Sequence, residues 1–168
     1  MKTAINSERF HIRSLEPDFD DFKGYLSWMH DVDANPFISG IDPTMTMNEL
    51  ISYVLSKNYS ETACLMGIFQ RTNHLHVGNI KLEPLHMKSH AWLGILIGEK
   101  SMRGKGAGFE VIKSVTEYFQ EQHQITRFYL GVDEKNVKAV SLYKKIGFRV
   151  TSQSNSVKNG IEMVLDLT

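Results

Sequence analysis

A glycine-rich segment between a strand-like run and a helical pattern most strongly constrains how this chain can fold. Residues 101–112 read SMRGKGAGFEVI, with glycine at positions 104, 106 and 108. Glycine permits the left-handed backbone of a tight loop, and the first-turn N–H groups of the following helix have no partners within that helix. Because these groups and the helix dipole attract negative charge, the segment predicts a loop that binds an anion such as a phosphate.

Apolar periodicity predicts the elements on either side of this loop. A strand is expected over residues 9–15, then a helix that opens at Pro17, a loop over residues 32–45, and a helix over residues 46–58. Three strand-like runs between residues 63 and 98 are separated by RTNH and HMKS, which predicts an antiparallel meander. The order β-α-α-β-β-β-α-β-α-β-β indicates a mixed α+β fold, one domain over residues 1–168.

Three of these predictions rest on capping residues. Thr46 and Glu49 have the spacing of a capping box at the start of the second helix. Asn136 is placed to cap the start of the last helix, and Gly147 to end it in a left-handed conformation. These residues fix the ends of two helices from the sequence alone.

Composition narrows the class of protein. Lys and Arg together number 19, as do Asp and Glu, so the formal net charge is zero. This balance argues against a dedicated nucleic-acid binder. The single cysteine, Cys64, excludes an internal disulfide and fits a reducing compartment. No apolar stretch approaches the ~20 residues of a membrane span, and the N-terminus lacks the apolar core of a signal peptide. We therefore expect a cytoplasmic protein with no nucleic-acid or membrane partner.

Two common phosphate-binding motifs do not match the loop. The loop of nucleotide hydrolases ends in Gly-Lys-Ser/Thr, whereas Lys105 is followed by Gly106. The dinucleotide fingerprint G-x-G-x-x-G starts at Gly104, but Phe109 occupies the position of its third glycine. Neither interpretation is kept.

The pattern Arg103-x-x-Gly106-x-Gly108 resembles the pyrophosphate loop of the GNAT superfamily of acetyl-CoA-dependent N-acetyltransferases. A second motif follows about thirty residues later and reads Asn136-x-x-Ala139-x-x-x-Tyr143-x-x-x-Gly147-Phe148. Within the superfamily the chain looks most like the RimJ/RimL-type branch, and GNIKLEP followed by HAWLGILIGEKSMRGKG resembles members that acetylate nucleotide-linked amino sugars. The resemblance implies a mostly antiparallel twisted sheet of about seven strands flanked by four helices.

The same resemblance implies acetyl-CoA as co-substrate and assigns residues to it. The backbone of the loop would bind the pyrophosphate, with the side chains of two of its residues adding positive charge. The end of the preceding strand would offer backbone groups to the pantetheine arm, and Asn136 would contact CoA. The implied cofactor-binding residues are Leu96, Ile97, Gly98, Arg103, Gly104, Lys105, Gly106, Ala107, Gly108 and Asn136.

The resemblance also implies that Tyr143 is the general acid for the departing thiolate, since a phenol with a pKa of ~10 is protonated at neutral pH. The base is less clear, because many RimJ/RimL-type strands read A-E-I-G where this chain has Trp92 in the glutamate position. His90 is the first candidate for the base, followed by His86 and Glu83. Entry of an already neutral amine, with no protein base, stays open.

Histidines also raise the question of a metal. His74 and His76 form an H-x-H pair that would share one face of a strand. No carboxylate or cysteine completes a recognisable ligand set, so no metal is predicted.

The expected function is transfer of an acetyl group from acetyl-CoA to a primary amine of a small molecule, with nucleotide-linked amino sugars as one candidate. Acetylation of a protein N-terminal amine and a non-catalytic CoA-binding module remain alternatives, and a homodimer is allowed. Aromatic and acidic side chains in and beside the loop over residues 32–45 suggest a pocket for a cationic acceptor with an apolar or ring-shaped body. These side chains are Trp28, Phe37, Asp31, Asp33 and Asp42.

Overall fold

The computed structural model describes residues 2–33, 35–38, 41–153, 157 and 159–167. The described residues form eight strands, four α-helices and a short 3-10 helix over Lys100–Met102. In chain order they are β1 (Ala4–Asn6), β2 (Phe10–Ser14), α1 (Lys23–His30), α2 (Met47–Asn58), β3 (Cys64–Gln70), β4 (His76–His86), β5 (His90–Ile97), α3 (Ala107–His123), β6 (Arg127–Asp133), α4 (Val137–Ile146), β7 (Arg149–Gln153) and β8 (Gly160–Asp166).

The described strands form one sheet with the order β1-β2-β3-β4-β5-β6-β8-β7. Neighbouring strands are antiparallel except β5 and β6, which are parallel. The predicted mixed fold with a mostly antiparallel sheet and an antiparallel meander is therefore confirmed. The strand beyond the expected seven is β1, whose three residues are too few to show a period of two. The segment between β7 and β8 lies partly outside the described residues.

The helices cover the two faces of the sheet and bury two apolar clusters. On one face, α3 packs through Val111, Ile112, Val115 and Phe119, all fully buried, in a cluster shared with the inner residues of β4 and β6. On the other face, α1 and α2 form a second cluster with residues of β3. No helix in the described part of the chain is both long and apolar enough to cross a membrane.

The first helix begins later than the sequence predicts. Helix α1 starts at Lys23 rather than at Pro17, and Phe19, within the segment predicted to be helical, is 85% exposed. The cause is Asp20, whose carboxylate accepts hydrogen bonds from the Arg13 guanidinium at 2.6 and 2.9 Å and from the backbone N–H of Glu16 at 2.7 Å. These contacts hold the segment as a turn, because an Asp that satisfies nearby backbone groups competes with helix formation.

The predicted helix caps are confirmed. The Glu49 N–H donates to the Thr46 hydroxyl at 3.3 Å, and the Thr46 N–H donates to the Glu49 carboxylate at 2.7 Å, as in a capping box. The Asn136 side chain accepts from the Ala139 N–H at 3.2 Å, and Gly147 ends α4 with φ of 117°. Local sequence therefore determines the ends of these helices.

Strands β5 and β6 pair over a short stretch and then separate. Their register covers His90 with Arg127, Ala91 with Phe128, and Trp92 with Tyr129. Beyond this point β5 continues to pair with β4 as far as its last residue, and β6 continues to pair with β8 along its whole length. A gap therefore opens between the carboxyl-terminal halves of two neighbouring strands.

Candidate active site

A cavity of about 550 Å³ lies at the gap between β5 and β6. Residues 93–96 of β5 and 131–133 of β6 line its two sides, and Asn136 and Tyr143 reach it from the start and the middle of α4. On the far side of β5 it extends to β4, where Asn79 and Lys81 line it, and to α1, α2 and residues 36–38 between these helices. The cavity thus runs across the carboxyl end of β5, from α4 to the pair of helices on the other side.

Tyr143 lines the α4 side of this cavity. Its ring lies 5.8 Å from the ring of Phe148, centroid to centroid, which fixes the side chain against the core. Burial raises the pKa of Tyr143 to about 12, because a phenolate loses hydration there. The hydroxyl is consequently protonated at neutral pH and able to donate a proton to a group in the cavity.

The glycine-rich loop leads from the end of β5 to the start of α3. Gly104 and Gly106 have φ of 72° and 77°, the left-handed region that glycine adopts most readily. Gly106 is the N-cap of α3, and having no side chain it provides no side-chain cap. The N-cap residue therefore satisfies none of the first-turn N–H groups of α3 through a side chain, and binding of an anion to them stays a prediction.

Arg9 braces this loop and neutralises an acidic neighbour. Its guanidinium donates to the Lys105 carbonyl at 2.9 Å and to the Glu110 carboxylate at 2.6 Å. Glu110 also accepts from the Ser7 hydroxyl and from the Arg9 N–H. Burial disfavours the Glu110 carboxylate, yet these hydrogen bonds outweigh burial and lower its pKa. Because the carboxylate is paired with Arg9, its charge is offset at the helix end that would attract an anion.

Arg103 is engaged with protein groups at the end of β5. Its guanidinium donates to the carbonyls of Ile97 at 2.8 Å and Gly98 at 3.2 Å and to the Asn35 side chain at 2.8 Å. These bonds join the end of β5 to the segment that follows α1. Direct contact of Arg103 with a pyrophosphate therefore stays a prediction, while the Lys105 side chain is exposed beside the loop.

Of the three residues expected to receive the pantetheine arm, Leu96 lines the cavity and the other two do not. Gly98 is close to the ring of Trp28, since a Cβ added at Gly98 would lie 2.0 Å from that ring. A glycine at this position therefore permits the tight packing of α1 against the end of β5. Roles for the Ile97 and Gly98 backbone toward a ligand remain predictions.

His90 lies at the opposite end of β5 from the cavity. Its ring centroid is 4.6 Å from that of His86 and 5.8 Å from that of Tyr129, and its Nδ1 lies 2.9 Å from the Ser89 hydroxyl. A strand rises about 3.3 Å per residue, so Leu93, the first cavity residue of β5, lies roughly 10 Å further along. His90 does not line the cavity, and the geometry gives it no contact with the Tyr143 side of the site.

Glu83, another candidate for the base, and Trp92, at the expected glutamate position, are also unsuited to that role. Glu83 accepts from Lys57 at 2.5 Å and from Lys81 at 2.8 Å. Burial disfavours the Glu83 carboxylate, but these two bonds prevail and lower its pKa, which makes it a weaker base. Trp92, in the position where the resemblance predicted a glutamate, stacks on Tyr129 with centroids 5.4 Å apart. It lies at the last paired position before the gap opens.

The expectation of an acidic acceptor pocket is wrong in its residues. Asp31 pairs with Lys100 at 2.8 Å, and Asp42 accepts from the N–H and hydroxyl of Thr44 within its own turn. Neither these residues nor the exposed Asp33 line the cavity. Trp28 lies on the buried face of α1 and does not line it either. Of the residues named for that pocket, Phe37 is part of the lining.

The histidine pair also differs from its prediction. His74 has φ of 58° and precedes β4, which begins at His76, so the two side chains do not share a strand face. The His76 ring is stacked on Phe69 with centroids 4.7 Å apart, and burial lowers its pKa. Within the described residues, no group of three or more His, Cys, Asp or Glu side chains is arranged to bind a metal ion.

Sequence reasoning missed several polar residues of the cavity, among them Tyr53, Asn79 and Lys81. The signal for two of them was present. In the run GNIKLE of β4, Asn79 and Lys81 alternate with the fully buried Ile80 and Leu82, so they had to project from the opposite face of the strand. That this face borders a cavity depends on the gap beyond β5, which no local pattern reveals.

Comparison with known proteins agrees with this architecture. Residues 9–149 match the family described as acetyltransferase (GNAT) domain. RimL, a ribosomal-protein acetyltransferase whose structure contains coenzyme A, superimposes with a TM-score of 0.83 at 12% identity, over 98% of each chain. A spermidine N-acetyltransferase from Vibrio cholerae, in complex with CoA and spermine, superimposes with a TM-score of 0.79 at 18% identity, over 94% of this chain and 95% of that one.

A curated relative is similar over a shorter stretch. The spermine/spermidine N(1)-acetyltransferase of Bacillus subtilis (strain 168) is 29% identical over 62 residues, which are 37% of this chain. The match spans 41% of that protein's length. The family match, by contrast, extends over most of the chain and includes both the glycine-rich loop and Tyr143. The chain therefore belongs to the GNAT acetyltransferase family.

Proposed function

We propose that this protein is an N-acetyltransferase that moves an acetyl group from acetyl-CoA to a primary amine of a small molecule. The observation that carries this proposal is the gap between β5 and β6, with the Tyr143 hydroxyl on one wall. The glycine-rich loop begins at the same end of β5. These three features suit three parts of an acyl-CoA molecule. The strand edge without a partner suits the extended arm, the helix start suits the pyrophosphate, and the proton donor suits the leaving thiolate.

The residues fit acetyl-CoA, which would supply the acetyl group as a thioester. The uncapped start of α3 suits its pyrophosphate, and Arg9 holds the loop in the required shape by its bond to Lys105. The free edge of β5 at the gap suits an extended arm with amide groups, as an added strand would bind. Asn136 lies at the entrance to α4 and completes the lining there.

Proton transfers in the proposed reaction involve one protein group. Tyr143 donates a proton to the thiolate that leaves; its phenol is protonated at neutral pH, and the pKa of about 12 makes it a weaker acid than a phenol in water. Among the described cavity-lining residues Asp133 is the single carboxylate, and its Oδ1 accepts from the Lys135 N–H at 2.8 Å, while Lys81 is a cation. We assign no protein base: the amine enters in its neutral form, the proton that its nitrogen loses on forming the amide passes to solvent, and solvent returns a proton to Tyr143.

The shape of the cavity favours a small acceptor. Helices α1 and α2 close its far side with aromatic and thioether side chains, which is typical of pockets for small molecules. The lining there includes Tyr25, Met29, Met45 and Tyr53. Nucleotide-linked amino sugars are one candidate class of acceptor, and polyamines are a second, favoured by the similarity to the spermine/spermidine acetyltransferase.

The test is release of free thiol from acetyl-CoA in the presence of a panel of primary amines. We expect release that depends on both the amine and the protein, together with a higher Tm in the presence of acetyl-CoA, because a ligand that binds the folded state stabilises it. A rise in Tm without thiol release from any amine would instead identify a CoA-binding module. Absence of both would refute the proposed function.

The pH dependence of kcat/KM should follow the acceptor rather than the protein. Because the amine must be neutral, the rate should rise with pH through the pKa of the amine and shift when amines of different pKa are compared. The falling limb from Tyr143 should lie near its pKa of about 12, beyond the usual range of assay. A rising limb that stays fixed for all amines and disappears in His90→Gln would contradict this expectation and make His90 the base.

A further inference from the structure

The wall of the cavity that β4 forms carries two hydrogen-bond donors on one face. Asn79 and Lys81 are two residues apart, so their side chains project from the same side of the strand with attachment points roughly 7 Å apart. Their partners on the neighbouring strand β5 are Leu96 and Gly94, respectively, and all four residues line the cavity. A Cβ added at Gly94 would have no atom within 4 Å, so there is open space beside Lys81.

Lys81 has a positive charge that its neighbours do not fully neutralise. Its ammonium group lies 2.8 Å from one carboxylate oxygen of Glu83, while Lys57 lies 2.5 Å from the other. The Glu83 carboxylate is therefore shared by two ammonium groups, and the three side chains together have one excess positive charge. Lys57 does not line the cavity, so this excess is presented to a ligand through Lys81. Burial works against the charged form of Lys81, but the hydrogen bond with Glu83 offsets burial and its pKa is raised.

Asn79 adds a donor for which the described part of the chain provides no acceptor. The residue is 5% exposed, and its side-chain oxygen lies 2.9 Å from Nε2 of His76. Its Nδ2 is buried and has no hydrogen-bond partner among the described residues. An unpaired buried donor is unfavourable, so a native structure normally gives it a partner, and an oxygen atom of a ligand in the cavity would provide one.

Negative charge is scarce around the same cavity. Asp133 is the single carboxylate among its described lining residues, and it lies on the β6 side, where it accepts from the Lys135 N–H at 2.8 Å. A polyamine would bring two or more positive charges to a wall that already has Lys81. An acceptor with a negative charge would find both donors of β4 facing it.

Given the acetyl transfer proposed above, we propose that the acceptor amine carries an anionic group, a carboxylate or a phosphate, and that Lys81 and Asn79 bind this group. The anion anchors the acceptor at β4, and the amine extends across β5 toward Tyr143. The acceptor class then differs from the polyamines of the spermine/spermidine relative, although the fold and the CoA side of the site are shared.

The test uses pairs of amines that differ in the anion: 2-aminoethyl phosphate with ethanolamine, and L-alanine with L-alaninamide, with spermidine as a cationic probe. Binding is measured by the shift in Tm in the presence of CoA, and turnover by thiol release from acetyl-CoA. The wild-type protein should prefer the anionic member of at least one pair, and the pair that responds distinguishes phosphate from carboxylate. In Lys81→Gln this ratio should fall roughly 10- to 100-fold, the effect of losing a hydrogen bond between charged groups.

Lys113→Gln is the control, because it removes the charge of a lysine that pairs with Glu117 on α3 and does not line the cavity. It should keep the wild-type ratio, and comparing ratios between variants cancels the difference in amine pKa within a pair. Equal binding of both members by the wild type, a preference for spermidine, or a ratio that survives Lys81→Gln would overturn the proposal. If a variant fails to fold, the preference of the wild-type protein for the anionic member of a pair still tests the proposal. Binding preference without thiol release would refute acetyl transfer but leave anion recognition standing.

Discussion

Tyr143→Phe should lower kcat by ~10²–10⁴-fold, the usual effect of removing a general acid, while the affinity for acetyl-CoA stays nearly unchanged. The substitution removes the hydroxyl and keeps the ring that packs 5.8 Å from Phe148, so the shape of the cavity is preserved. The measurement is single-turnover acetyl transfer at saturating amine, with the Tm shift by acetyl-CoA as the measure of binding.

Tyr118→Phe provides the control for this experiment. Tyr118 is also partly buried, with its ring 5.4 Å from Phe119, but it lies on α3 outside the cavity. It should retain the wild-type rate. If Tyr143→Phe were as fast as Tyr118→Phe, the Tyr143 hydroxyl would have no part in the reaction, and water would protonate the thiolate.

Gly106→Val should abolish the rise in Tm that acetyl-CoA produces. A ligand at 100 times its Kd stabilises a protein by about 2.7 kcal/mol, and this contribution should be lost. The nearest atom to a Cβ at this position is Nη2 of Arg9 at 3.6 Å, so the protein has room for the side chain. The valine methyl groups would instead enter the space in front of the first-turn N–H groups of α3, where the anion is expected.

Backbone strain must be separated from loss of binding. Valine at φ of 77° is strained, by about 1–3 kcal/mol, and lowers Tm by itself. Gly147→Val is the matched variant, since Gly147 also has a left-handed backbone, with φ of 117°, but ends α4 away from the loop. It should lose stability while keeping the shift with acetyl-CoA. An unaltered shift in Gly106→Val would show that the loop does not bind the pyrophosphate.

The sequence predicted those features that short-range physics determines. The capping box at Thr46, the N-cap Asn136 and the left-handed Gly147 were readable because each depends on residues within one helical turn. The meander was readable because alternation and turn residues agree over three successive strands. The start of α1 was not, because Asp20 is held by Arg13 on β2, a contact that apolar periodicity does not reveal.

The candidate site was likewise predictable from the sequence only in part. The glycine-rich loop and Tyr143 were assigned from motifs, and the structure places them at the carboxyl end of β5 and in the cavity, respectively. The prediction for the acceptor side was wrong, because Asp31 pairs with Lys100, Asp42 is bonded within its own turn, and the exposed Asp33 does not line the cavity. Lys81 and Asn79 were not predicted, because the face of β4 from which they project borders the cavity only through its position beside the gap.

That gap divides the sheet into a five-strand half and a three-strand half. Three residue pairs of β5 and β6 form the direct ladder between the halves, and α3 packs across their shared core. A ligand extended along the open edge of β5 would act as a removable ninth strand, so that the continuity of the sheet would itself depend on occupancy. Slow amide exchange along the halves of β5 and β6 that border the gap would then be a property of the complex rather than of the polypeptide alone.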